Sequence, residues 1–207
     1  MPVPTAAELL ATQIRHAWIN SGCVLEGLTD EEYFWEPAPG AWSVRARALA
    51  GEGTPGVING FGRGEFVCED VWPRPERVPV TTIAWRVVHL AAWNDIYIDW
   101  TFGSATRTLA DVEVPGTCAE GMAWLAEAQE RFAVAVEALS DEEVFGHRPA
   151  HWGEHLPVAR LVSLMINENV HHIAEIGALR DIHRGHARTQ PLPPPSLGPD
   201  WWQPRAR

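Results

Sequence analysis

Residues 160–181 read RLVSLMINENVHHIAEIGALRD. Leu161, Leu164, Met165, Ile176 and Leu179 recur at three- and four-residue intervals, the period of a helix that buries one broad stripe. Pro157, just upstream, can occupy the first turn, where its missing N–H costs no internal hydrogen bond. Two polar residues, Glu168 and His172, fall inside that stripe. Their four-residue separation puts them roughly 40° apart around the axis and about 6 Å apart along it. A carboxylate at such a position is expensive to bury without a charged partner or a metal. His171 points about 100° away from His172 and reads as a surface or interhelical hydrogen-bonding residue. Glu175, three positions beyond His172, can orient its second ring nitrogen or face solvent.

Three more segments have the same period. The first helix is expected from Thr5 to Glu26, with Thr5 and Glu8 as a capping box and Leu10, Ile14, Ala17, Ser21 and Val24 inward. The second runs from Thr81 or Thr82 to Gly103, with Ile83, Val87, Leu90, Asn94 and Ile98 on one face. Its neighbouring face holds Arg86, His89, Trp93, Ile96 and Trp100, so the helix can meet two others. The third runs from Thr117 to Leu139. Short acidic turns beginning at Thr29 and Ser140 follow the first and third helices. Four long amphipathic segments with no competing run of alternating strands predict an all-α four-helix bundle.

Between the first two helices, residues 37–79 are broken by repeated glycine and proline. Trp42, Phe61, Phe66 and Trp72 are its expected anchors, which makes it an ordered connection rather than a free linker. Residues 146–156 form a loop with His147, His151, Trp152, Glu154 and His155. The helical domain is expected to span residues 1–186, and residues 187–207 form a proline-rich tail in which Trp201 and Trp202 can dock.

The 207-residue chain suits one domain. Its 27 acidic and 16 basic residues give a net charge of -11, which argues against a nucleic-acid or anionic-membrane surface. Cys23, Cys68 and Cys118 read as free thiols of a reducing compartment. With no signal peptide and no run of transmembrane length, a cytoplasmic location is expected. Phosphate-binding loops, dinucleotide fingerprints and nucleophile elbows are absent from the required contexts.

His89 supplies a third donor if the second and last helices are neighbours. His89, Glu168 and His172 then form an open site of two imidazoles and one carboxylate, suited to zinc, nickel, manganese or ferrous iron. The alternative is structural: His89 hydrogen-bonded to a neighbouring helix, Glu168 paired with Arg86 or another basic group, and His172 neutral in the core. His151, Glu154 and His155 are a weaker ligand cluster, and His151 or His155 at the rim can act on a substrate or water. Asn94 and Arg63 are further pocket candidates.

Two stretches carry a family resemblance: Thr82-Ile-Ala-Trp-Arg-Val-Val-His89-Leu90, and Glu168-Asn-Val-His-His172-Ile-Ala-Glu175 continuing to Asp181. With Trp35-Glu36-Pro37 and Pro39-Gly-Ala-Trp42-Ser-Val44, they resemble the DinB-like superfamily over most of residues 5–183. The resemblance implies a four-helix bundle in up-down-down-up order, with a divalent metal held by His89, Glu168 and His172. Many members have histidine where this chain has Glu168, and the thiol-dependent maleylpyruvate isomerase branch is the nearer pattern. It further implies zinc or nickel ahead of manganese or iron, and a low-molecular-weight thiol such as mycothiol. A small-molecule substrate, a homodimer and transferase or isomerase activity complete that expectation. The alternative is a non-catalytic, stress-associated bundle that binds a small ligand.

Overall fold

Hydroxyl caps start the helices where the sequence places them. In the computed structural model, which describes residues 3–49, 60–71 and 73–185, Thr5, Thr29, Thr82, Thr117 and Ser140 each accept a backbone N–H of the turn they begin. These bonds satisfy donors that a helix leaves without intrahelical partners. The long helices are α1 (Ala6–Leu25), α3 (Ile83–Phe102), α4 (Cys118–Glu137) and α6 (Val158–His183), and α2 (Asp30–Phe34) and α5 (Asp141–Phe145) are the two acidic turns.

The all-α expectation needs amending. The described chain is mostly helical, but it also holds two small antiparallel sheets. In the first connection, β1 (Val44–Ala46), β2 (Gly60–Phe61) and β3 (Phe66–Glu69) pair in the order β1-β3-β2, with Val44 opposite Cys68 and Phe61 opposite Cys68 on the other side. The expected 146–156 loop contains a hairpin of β4 (His147–Pro149) and β5 (His155–Pro157). Three-residue strands interrupted by glycine and proline show too little alternation to be read as strands. Pro157 is also displaced by one place: it ends β5 and is the N-cap of α6, not part of its first turn.

Trp42 is buried at the connection's start, Phe61 and Val67 are buried in the sheet, and Phe66 is half-buried. Trp72, the 50–59 part of the connection, and the expected tail with Trp201 and Trp202 lie outside the described residues. Among the described residues, no helix is long and apolar enough to cross a membrane. Cys68 and Cys118 are buried and Cys23 is exposed, all three as free thiols.

Both α1 and α3 pack against α4 and α6. Arg86 lies beside Glu175 and Asn94 beside Asn169, so α3 and α6 are antiparallel. Asp95 lies beside Trp124 and Phe102 beside Phe132, so α3 and α4 are parallel. At one end Cys118 reaches the carbonyl of Leu28, and at the other Ala6 bonds the Asp141 carboxylate, which makes α1 and α4 antiparallel. Fifteen of the twenty residues of α3 are buried. Such a helix is covered on nearly every side, and a polar group on it must find its partner within the protein.

The sheet has a direct structural consequence for α3. Glu69 is fully buried, accepts the Ser43 N–H at 2.9 Å and pairs with Arg45 at 2.9 Å. Its backbone carbonyl accepts the Trp85 indole N–H at 2.6 Å. The irregular connection thereby fixes the first turn of α3, one turn before His89.

Candidate metal centre

His89 is on the covered face of α3, and Glu168 and His172 are one turn apart on α6. Antiparallel packing brings the three together: one donor atom from each lies within 4.8 Å of the others. Glu168 Oε2 stands 3.4 Å from His172 Nε2 and 3.8 Å from His89 Nε2. Good N–H···O hydrogen bonds are about 2.7–3.2 Å long, so neither contact has that length. Donors set tetrahedrally about 2.0–2.1 Å from zinc stand roughly 3.3–3.4 Å apart. The Glu168–His172 spacing matches that separation, and the Glu168–His89 spacing exceeds it by a few tenths of an ångström.

The protonation states fit as well. Burial pushes His89 down to about 4, which leaves its imidazole neutral. The His172 and His89 nitrogens hold the Glu168 carboxyl well below the usual carboxylate range. A neutral imidazole and an ionised carboxylate are the forms a cation requires. The Glu168 side chain is 41% exposed whereas His89 and His172 are 9% and 12% exposed, so the cluster opens on the glutamate side.

The partners behind the two histidines differ. Glu175 accepts from His172 Nδ1 at 2.8 Å and is in direct contact with Arg86. A proton on Nδ1 leaves the Nε2 lone pair facing Glu168, the tautomer that a metal ligand needs. Arg86 also lies 3.2 Å from Nδ1, but its charge is met by Glu175 and the shorter imidazole contact is to the carboxylate. His89 rests flat on Trp85, ring centroids 4.5 Å apart at 16°. Its Nδ1 is buried with no hydrogen-bond partner among the described residues, a cost of about 1–3 kcal/mol. Packing, rather than a hydrogen bond, orients that ring.

The remaining candidates separate. His171 is exposed and lies 3.2 Å from the other oxygen of Glu175. Asn94 is fully buried and exchanges amide hydrogen bonds with Asn169 at 3.2 and 3.3 Å. Arg63 is exposed, and its backbone is joined to Val112 and Glu113 of the α3–α4 connection. His155 is exposed in β5, opposite Pro149. His151, at the hairpin tip, packs on Trp93 with centroids 4.5 Å apart. Glu154 accepts the Trp152 indole N–H at 2.7 Å.

Sequence reasoning left out three contributors: Arg86 as the partner of Glu175, Trp85 as the floor under His89, and Tyr97 beside Trp93 and His151. The four-residue spacing of positions 85, 89, 93 and 97 was a usable signal for the aromatic contributors. Arg86 pairs with Glu175 rather than with Glu168, whose basic neighbours are His89 and His172. Among the described residues Glu168 has no arginine or lysine partner.

Mostly helical architecture with a two-helix cluster of imidazoles and a carboxylate defines a class of candidate metal-binding helical proteins. The DinB superfamily model matches residues 66–176, more than half of the chain, and the chain belongs to that superfamily. Its members often bind divalent metals, and they include metal-binding, thiol-dependent enzymes. No curated protein matches the chain.

Proposed function

We propose that His89, Glu168 and His172 hold a divalent metal, zinc or nickel ahead of manganese or iron, in a low-molecular-weight-thiol-dependent transferase or isomerase. The observation that carries this reading is the convergence of three donor atoms at spacings too long for hydrogen bonds and close to those around a metal. When bound, a divalent cation at this site would lower the pKa of a thiol and fix its sulfur near an electrophile. The chain's own residues have separable tasks. Glu175 keeps the proton on His172 Nδ1, Arg86 balances Glu175, and Trp85 holds the His89 ring. Glu168 is the solvent-exposed member of the trio, the side from which a thiol such as mycothiol and a small-molecule substrate would approach.

Glutamate at 168 supports a place in the maleylpyruvate isomerase branch, and the helix directions support an up-down-down-up four-helix bundle within a domain of residues 1–186. A homodimer and a cytoplasmic location belong to the same reading. Elemental analysis of protein purified without added metal tests its core. The parent is expected to hold one metal per chain, and His89→Ala and His172→Ala far less. Equal content in all three sinks the metal site. Titration of the metal-loaded parent with low-molecular-weight thiols is expected to release binding heat, and indifference to every thiol removes the enzyme reading while leaving a ligand-binding one.

A further inference from the structure

Along α3, Trp85, His89, Trp93 and Tyr97 occur at every fourth residue and so form one ladder on one face. Successive ring centroids lie 4.5, 6.1 and 6.3 Å apart. The tip of the β4–β5 hairpin extends this wall: His151 lies 4.5 Å from Trp93 and 5.9 Å from Tyr97, and Trp152 lies 6.5 Å from Tyr97. Pairing of His147 with Pro157 and Pro149 with His155 holds the tip beside the ladder. Trp85 is buried at the inner end, Trp93 is half-exposed, and His151 and Trp152 are exposed. The wall thus leads from solvent to the histidine of the trio. His89 is at once a rung of the ladder, 6.1 Å from Trp93 between ring centroids, and 3.8 Å from the Glu168 carboxylate. The ladder therefore reaches the trio through His89, and Glu168 is the member of the trio most open to solvent.

We infer that this wall selects a substrate with a flat, conjugated or aromatic ring, laid against Trp93 and His151 with its reactive end toward Glu168 and His89. The inference rests on the trio being the reactive centre and adds the chemical class of what reaches it. Offset or edge-on contact between rings is favourable beyond the area it buries, because the positive edge of one ring meets the negative face of the other. A saturated ring of equal bulk lacks that part. A small dianion has no ring to lay on the wall, and Arg86, on the same helix, is already paired with Glu175. Among the described residues His151 makes ring contacts only with aromatic side chains, so a flat ring can add to that stack without breaking a hydrogen bond.

Calorimetric titration of the zinc-loaded full chain with 2-naphthoate, cyclohexanecarboxylate and maleate tests this. All three probes carry a carboxylate and differ in the body attached to it. Naphthoate is expected to bind about tenfold more tightly than either of the others, a difference of about 1.4 kcal/mol. Trp93→Ala is expected to remove that preference with zinc content unchanged, and Trp93→Phe to retain most of it. Equal affinity for the three probes, no binding of any of them, or an undiminished preference in Trp93→Ala overturns the inference. Repeating the titration on zinc-free protein separates this from the metal reading. A ring preference that persists while elemental analysis finds no metal site leaves the wall standing alone, whereas bound zinc without a ring preference leaves only the metal site.

Discussion

Two polar clusters join α3 to α6 within little more than a turn of each other, and they are built on opposite principles. Asn94, Asn169 and Gln129 are all buried, and their amides pair with one another: Asn94 and Asn169 reciprocally, Gln129 to the Asn169 oxygen, and Asn169 also to the Met165 carbonyl at 2.8 Å. Amides supply both donors and acceptors, so the cluster closes on itself. His89, Glu168 and His172 instead direct nitrogen and carboxylate atoms at one point, at distances beyond good hydrogen bonds. A buried polar group is retained where its needs are met. The amide cluster meets them internally and works as interhelical adhesive; the trio leaves its donor atoms converging on one point without such closure.

Paired substitutions should break this contrast most sharply. His172→Ala is expected to abolish metal retention, whereas Asn169→Ala should leave the metal-to-protein ratio at its parental value. If Asn169→Ala lost metal as completely as His172→Ala, the two clusters would be one functional unit. The next largest effect belongs to Glu32, the closed counterpart of the open Glu168. Glu32 is buried between Arg180, at 3.1 Å, and Arg184, so Glu32→Gln leaves Arg180 buried without its countercharge. Urea unfolding should show a loss of roughly 3–5 kcal/mol.

Acidification probes the same carboxylate. Burial alone would raise Glu32, but hydrogen bonds from Arg184 and Arg180 outweigh it and hold the group at about 2, below its ordinary 4.5. Its stabilisation is therefore complete above about pH 4.5 and is lost as the pH falls toward 2. Thermal melting should show the parent losing more stability than Glu32→Gln between pH 5 and pH 3.

Smaller changes test the interior of each cluster. Asn169→Ala orphans the amides of Asn94 and Gln129 and should cost about 2–4 kcal/mol in denaturant unfolding. An unchanged midpoint would show that the amides find other partners. Glu175→Gln should weaken metal affinity by about 10- to 100-fold in a chelator competition, because the His172 tautomer loses its anionic acceptor. Retention of full affinity would make the Arg86–Glu175 pair a packing feature alone.

Much of this protein is local and was therefore legible. The caps at Thr5, Thr29, Thr82, Thr117 and Ser140 depend on side chains within three residues of the backbone they bind. Helical period placed Glu168 and His172 on one face, and helix phase turned His171 outward, although its ring still lies 4.7 Å from that of His172 and shares Glu175 with it. The strands of the first connection were hidden because pairing such as Val44 with Cys68 joins residues far apart in the chain, and no short segment shows the alternation of a long strand.

The sequence by itself determined the helices, their caps and the shared face of the candidate donors Glu168 and His172, because each depends on neighbours three or four positions away. Only tertiary structure decided what those donors face. Antiparallel packing of α3 on α6 set their separations, directed Arg86 to Glu175 instead of Glu168, and absorbed Asn94 into an amide network. The hairpin then brought His151 to Trp93. Such pairings are fixed by the register between elements, which no single helical period contains.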